Sequence, residues 1–340
     1  MSGPPLPWLE APARALRQRL REGTLPHALL IGAAAGLGGT ELASGIVAAV
    51  ACVTAEGPCG ACDGCRRLAQ DQHPDHRLVT RLVDEDTGRV RKEITVDQVR
   101  ALIAELQLSS LLGGWKTAIV DPAEAMNRHA ANALLKTLEE PPAATLLVLV
   151  SSRPDRIPPT LRSRCQGIAV PRPTTSAALA WLAAQQPRAD WALWLAVAGG
   201  APLAARDLAG SSFADQRSAL ARELLDLPEG RGDPVRLANQ VIDHDPRRFV
   251  LWWSSVVRDL IVLHQVGAGR SSNPDLEPVL RNLGSRLHLT ALHRFLTALQ
   301  RSSAMLEDTT VNPALLLQGL LVAWSTALAP DAMKPILVED

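Results

Sequence analysis

The chain has 340 residues, with 35 Lys and Arg against 35 Asp and Glu, so its net charge is zero; at roughly 100–200 residues per domain it should hold two or three domains. Zero net charge argues against a protein that grips nucleic acid mainly through a broad basic face, although it leaves room for a local basic patch. Aromatic residues are 3% and Tyr is absent, which argues against a surface of bases stacked on Phe and Tyr, while 47% hydrophobic residues are ample for packed cores rather than disorder.

The elements follow in chain order. Met1–Leu9 carries three prolines and no basic residue, unlike a secretory signal. His27–Ile31 is a short apolar run ending at Gly32 and predicts a buried strand; the Ala- and Leu-rich stretch Thr40–Val53 predicts a helix. His76–Val83 is a second strand candidate. Thr95–Leu108 reads as an amphipathic helix: Thr95 and Gln98 have capping-box spacing, and Val99, Leu102, Ile103 and Leu106 follow the helical period. Lys116–Val120 is a third strand ending at Asp121. Asn127–Glu139 is a helix stopped by Pro141 and Pro142. Thr145–Val150 and Gly167–Val170 complete the strands. Continuous apolar strands alternating with helices indicate a parallel sheet covered on both faces.

Beyond Pro171 the strand signals stop. Pro171–Thr175 reads as a linker, and Ala177–Leu208 as two or three short helices broken near Gly199-Gly200. From Phe213 to Ala329 the pattern is helical. Leu289, Leu292, Phe295, Leu296 and Leu299 form one stripe, and Leu315–Leu328 is so apolar that burial against partners is expected. The expected plan is an α/β domain over 1–170, a small helical domain over 171–210 and a larger all-α domain over 211–340. No run of about 18 apolar residues suggests a membrane span, and a cytoplasmic location is expected.

After the first strand comes Ala33-Ala34-Ala35-Gly36-Leu37-Gly38-Gly39-Thr40. A phosphate loop reads GxxxxGK[ST] between a strand and a helix. Gly36 and Gly38 permit the turn, and Thr40 stands at the Mg²⁺-ligand position. Ala33 replaces the first Gly, however, and Gly39 replaces the Lys that carries charge to the β- and γ-phosphates. Asp121 ends an apolar strand where Mg²⁺ would be held, yet Pro122 follows where a water-orienting Glu would be needed. The residues Gly36, Gly38, Thr40 and Asp121 thus read as a vestigial site without hydrolysis and without bound nucleotide, or as a plain Gly/Ala-rich turn.

Cys52, Cys59, Cys62 and Cys65 are spaced C-x6-C-x2-C-x2-C, with Gly57, Pro58, Gly60 and Gly64 as turning residues. In a reducing compartment clustered thiols point to metal rather than to disulfides. Four thiolates close a tetrahedral structural zinc site; free or redox-active thiols and an iron–sulfur cluster are the alternatives.

Further blocks stand at His73–Asp75 (HPD), Val96–Arg100 (VDQVR), Ala131–Pro142 (ANALLKTLEEPP), Pro159–Cys165 (PTLRSRC) and Asn312-Pro313. Together with the cysteine insertion after the loop helix, they make nearly the whole chain resemble the clamp-loader subunits of bacterial DNA polymerase III, members of the AAA+ family. The resemblance implies a P-loop (AAA+) α/β domain with a parallel sheet, a helical lid and an all-α collar for oligomerisation. The missing Lys and Glu match the members that do not hydrolyse ATP. It implies gamma/tau and delta subunits as partners, with the sliding clamp and primed DNA met through the complex and no membrane. It also assigns Arg164, in the Ser163-Arg164-Cys165 tripeptide, as an arginine finger acting in trans on a neighbour's ATP, a role suited to a guanidinium. Cys165 reads as a packed small residue. Hydrolysing members carry a lid Arg in a GSxR-like turn; here Gly200-Ala201-Pro202-Leu203 puts Leu203 there, and Arg206 one turn away does not inherit the role. No catalysis by this chain itself is expected, within a holoenzyme that is a DNA-directed DNA polymerase (a nucleotidyltransferase). Two rival readings are an active ATPase with an atypical loop and a zinc-dependent DNA-binding regulator. The Arg-rich stretch Arg153–Arg164 would suit a DNA backbone or simply a solvated face.

Overall fold

Three strands of continuous Val, Leu, Ile and Ala build the centre of the first half. In the computed structural model, which describes residues 6–54, 57–84, 88, 90–267, 271–308 and 311–326, they are β1 (Ala28–Gly32), β3 (Lys116–Val120) and β4 (Thr145–Ser151), nearly every residue of them buried. Met1–Pro5 and the expected end of the terminal helical run, 327–329, lie outside the described residues. Two half-exposed strands, β2 (His76–Val79) and β5 (Gln166–Ala169), flank them. All pairings are parallel, in the order β2-β3-β4-β1-β5. This is the buried parallel sheet that continuous apolar strands require. The order makes β1 the strand at which the winding reverses, and in open α/β sheets such a switch point opens a crevice at the carboxyl ends of the strands.

The helices of this first unit are α1 (Glu10–Arg21), α2 (Gly39–Ala51), α3 (Asp63–Ala69), α4 (Val96–Gln107), α5 (Arg128–Glu139), α6 (Pro159–Arg162) and α7 (Thr175–Gln185). Thr95 and Gln98 form the expected capping box of α4, and Asn127 Oδ1 accepts from the Ala130 amide to start α5. Ile94, Val99, Leu102, Leu134 and Leu138 join Val120 and Leu149 in one core over the sheet. Asp75 of the HPD block has a structural use: its carboxylate accepts from the Leu111 and Leu112 amides and the Ser110 hydroxyl at 2.7–3.0 Å. Burial pushes this carboxyl up, but those three bonds outweigh it and hold Asp75 below the usual carboxylate range.

The chain divides into two compact units, 1–186 with 201–203, and 187–200 with 204–340. The packing thus groups α7 with the sheet. The second unit is helical: α8 (Trp191–Val197), most of α9 (Pro202–Ala209), α10 (Ser212–Asp226), α11 (Pro234–Ile242), α12 (Pro246–Val266), α13 (Glu277–Gly284), α14 (Leu289–Asp308) and α15 (Pro313–Ser325). Its centre is aromatic: Trp253 meets Trp324 edge-on at 5.8 Å, and Phe295 stacks on Trp324 at 5.1 Å. Arg217, 2% exposed, donates to Asp275 and Asn273, so its charge is paired inside the fold. Helix α12 has the length and apolarity of a membrane span, but it is a core helix, with 61% of its apolar window buried. The stripe on α14 packs as expected. In the terminal helix, α15, Leu317, Leu320, Leu321 and Trp324 are buried, while Leu315 and Val322 are exposed on this chain. Its composition is apolar all round, yet the unit covers only one face.

Candidate functional site

The loop after β1 forms at the switch point, where a phosphate loop would stand. Gly36 and Gly38 have φ of 78° and 93°, left-handed values that glycine adopts without strain. Gly38 begins α2 with no side-chain cap, the arrangement that leaves helix amides available to an anion.

Every other detail closes the loop with the protein's own groups. Thr40 Oγ1 donates to Asp121 Oδ2 at 2.6 Å, so the two residues that would share a Mg²⁺ ion hold each other. Burial raises the Asp121 carboxyl above its ordinary value, opposed by the Thr40 bond. A Cβ on Gly39 would stand 2.8 Å from Ala33 Cβ and 3.1 Å from Val150 Cγ1. The two departures from the phosphate-loop pattern are therefore coupled: the methyl at the first-glycine position fills the space that a Lys side chain would have to leave through. On the outer side the Trp8 indole N–H donates to the Leu37 carbonyl at 2.8 Å. Leu6 and Leu9 crowd Gly38 so closely that a Cβ there would lie 2.7 and 3.0 Å from their methyl groups.

Leu203, at the expected lid position, touches the loop. The Leu203 amide donates to the Gly36 carbonyl at 3.1 Å, and the Leu203 side chain is buried. The residue set against the loop here is thus apolar, not cationic. Beyond Pro122, Glu124 is spent on structure: its Oε1 accepts from the Ser152 amide and hydroxyl at 3.0 and 2.6 Å. Burial pushes Glu124 up, but the Ser152 and Ser151 bonds prevail and hold it below the usual range.

Arg164 lies at the other end of the sheet. Gln166 pairs with Leu29 and Ala169 with Gly32, so Arg164, two residues before β5, sits at the amino ends of the strands. The loop starts at Ala33, and the four residues from Leu29 to Ala33 rise about 13 Å. Arg164 therefore does not face its own loop. Its Nε donates to Glu139 Oε1 at 2.9 Å, its Nη2 donates to the same oxygen, and its Nη1 donates to the Thr160 carbonyl at 2.8 Å and Ser163 Oγ at 3.3 Å. Cys165 packs against the core over the sheet, and burial pushes its thiol up to about 11, as expected of a filler rather than a nucleophile.

The four clustered cysteines converge. Cys52 ends α2 and Cys62 caps α3, its sulfur accepting from the Cys65 amide at 3.5 Å. The Cys59 sulfur accepts from the Cys62 amide and the Cys52 sulfur from the Cys59 amide, both at 3.4 Å. All four sulfurs lie within 4.8 Å of one another, and those of Cys52 and Cys62 are 3.9 Å apart. A tetrahedral ion with ligand bonds of about 2.3 Å would hold its sulfurs about 3.8 Å apart. The turning glycines are required: a Cβ on Gly57 would lie 2.8 Å from Cys52 Sγ, and one on Gly64 2.2 Å from the Ala51 carbonyl oxygen. At Cys52 burial raises the thiol, but bonds from Thr54 and Cys59 outweigh it and bring it to about 6. The Cys65 and Val53 amides pull Cys62 down, while burial pushes Cys65 up to about 12. Four thiolates this close would need a cation among them, and the donor set fits a metal such as zinc.

Sequence patterns did not expose Glu139 as the partner of Arg164 or Trp8 as the cover of the loop. The faint signals were two adjacent Glu at the end of the ANALLKTLEEPP block and a Trp in a Pro-rich leader. Residues 9–174 match the model of a family described as DNA polymerase III, delta subunit, and residues 211–326 that of its C-terminal part. DNA polymerase III subunit delta-prime of Pseudomonas aeruginosa is 33% identical, covering 95% of this chain and 98% of that protein. The Escherichia coli K12 subunit of the same name is 30% identical, covering 97% and 98%. Subunit tau of Salmonella typhimurium is 35% identical over 153 residues, 44% of this chain and 22% of its own length. With a closed loop, a convergent four-cysteine cluster and relatives of that identity over almost the full length, the chain belongs to the family of DNA polymerase III delta-prime subunits.

Proposed function

We propose that the chain is the non-hydrolysing delta-prime subunit of a clamp loader. It joins gamma/tau and delta subunits in the cytoplasm, and the assembly uses ATP to place a sliding clamp on primed DNA. In this reading 1–170 is the AAA+ domain, 171–210 the lid and 211–340 the collar, and Arg164 is an arginine finger for the ATP of a neighbouring subunit. The observation that carries the reading is the closed loop. A Lys has no room at Gly39, Thr40 is bonded to Asp121, and the apolar Leu203 lies against Gly36. A subunit that keeps the AAA+ sheet but holds no nucleotide contributes through its contacts, and Arg164 is a motif residue chemically suited to phosphate.

The four-cysteine site takes zinc in this proposal. Cys52, Cys59, Cys62 and Cys65 fill all four positions around the ion, which therefore staples the insertion between α2 and α3 and supplies no chemistry. An active ATPase is disfavoured by the same loop, and zero net charge disfavours a DNA-binding regulator.

The test is reconstitution with tagged tau, delta, the sliding clamp and primed DNA. The chain is expected to co-purify with tau and to be required for clamp loading. Loading at full rate in its absence would contradict the proposal.

A further inference from the structure

A guanidinium grips phosphate best as a fork, with two parallel N–H groups donating to two oxygens. Arg164 has no such fork to offer as it stands. Nε and Nη2 both donate to Glu139 Oε1, and Nη1 is shared between the Thr160 carbonyl and Ser163 Oγ. All three nitrogens are engaged within this chain. The Glu139 carboxylate also offsets the positive charge that would draw a triphosphate.

The tie is built to be broken. Glu139 is the last residue of α5, and Arg164 follows the single turn of α6. The two side chains are 50% and 34% exposed. Exposed ion pairs are weak, and a neighbouring triphosphate offers more negative charge than one carboxylate.

We infer that Glu139 is a latch for Arg164: it holds the guanidinium withdrawn until the γ-phosphate of a neighbour's ATP replaces its carboxylate. The inference rests on the reading of Arg164 as a finger acting in trans and adds how that finger is regulated. The exchange swaps one anionic acceptor for another, with no covalent step. It makes the finger respond to whether the neighbour holds a triphosphate. Glu139 is a positioning residue acting through Arg164, not a catalytic one.

Three variants of the assembled complex test this: Glu139→Gln, Arg164→Ala and the double variant. Glutamine keeps the shape and removes the charge. Glu139→Gln is expected to lower the KM for ATP about two- to fivefold, the scale of an exposed ion pair, with kcat unchanged. In the Arg164→Ala background it is expected to change nothing. On the subunit alone, phenylglyoxal should modify the peptide bearing Arg164 faster in Glu139→Gln than in the wild type. A fall in kcat with Glu139→Gln would make Glu139 a brace and overturn the latch. An unchanged KM together with an unchanged modification rate would also overturn it. If Arg164→Ala left turnover intact, the finger reading itself would fail, and the modification rate would still report whether Glu139 restrains Arg164.

Discussion

The two ends of the parallel sheet have been treated in opposite ways. At the carboxyl ends of the strands, where this architecture normally holds a ligand, the protein has filled the crevice from within. Thr40 bonds Asp121, Ala33 and Val150 occupy the path of a lysine, and Trp8 covers the loop. At the amino ends, which carry no ligand crevice by topology, stands Arg164, held by an exposed ion pair to Glu139 and by bonds to Thr160 and Ser163. Helix α2 joins the two regimes: its first turn is the closed loop and its last residue leads into the cysteine knuckle. On the proposed reading, the contrast teaches that a nucleotide fold can close its own site and keep a surface for another subunit's site, since the two share only the sheet between them.

The largest effect should come from the knuckle. Structural zinc in small sites is worth about 10–16 kcal/mol. Cys62→Ser is expected to take zinc from one atom per chain to none by elemental analysis, and to make 52–65 the first site of proteolytic cutting. One atom of zinc retained in that variant would remove the four-thiolate assignment.

The closed end can be broken by restoring its missing residue. Gly39→Lys must displace Ala33 and Val150, at an overpacking cost of about 1–3 kcal/mol. The denaturant midpoint should fall, and calorimetry should show no Mg·ATP binding. Adding Ala33→Gly should recover part of the loss, because the two sites share a contact. Tight, Mg²⁺-dependent ATP binding by the single variant would mean that the loop is open after all.

A smaller effect sharpens the amino end. His76, at the start of β2, has its Nδ1 2.9 Å from Thr117 Oγ1, and burial brings its imidazole down to about 4. Unfolded, it titrates near about 6.5. The folded value is depressed, so the unfolded chain takes up a proton that the folded chain refuses. The contribution is complete above pH ~6.5 and is lost as the pH falls towards ~4. Between pH 7.5 and 5 the wild type should lose about 2 kcal/mol more than His76→Gln does. Equal losses in the two proteins would show that this histidine is not held neutral by burial.

Much of this organisation is legible in the sequence because its signals are local. Lys116–Val120 is a strand from end to end since all five side chains are buried, and Thr95 caps α4 through a residue three positions away. The lesions at Ala33, Gly39 and Pro122 are visible as departures from a short pattern. Their meaning is not, because the fit of Ala33 against Gly39 depends on how β1 turns into α2. The tie between Glu139 and Arg164 spans 25 residues and two elements, and the Trp8 bond to Leu37 spans 29; no periodicity encodes either. Composition does not say which face of α15 its own unit covers; Leu315 and Val322 stay exposed there.

The central claim is that the carboxyl-end loop is idle while Arg164 works on a neighbour. ATP turnover by the assembled clamp loader, with Arg164→Ala set beside Thr40→Val, tests it most directly. Arginine fingers are worth about 10³–10⁵ in kcat, so Arg164→Ala should silence the one site that it serves, seen as a lost fraction of single-turnover hydrolysis, while Thr40→Val should turn over ATP like the wild type. Loss of hydrolysis with Thr40→Val and none with Arg164→Ala would contradict the account.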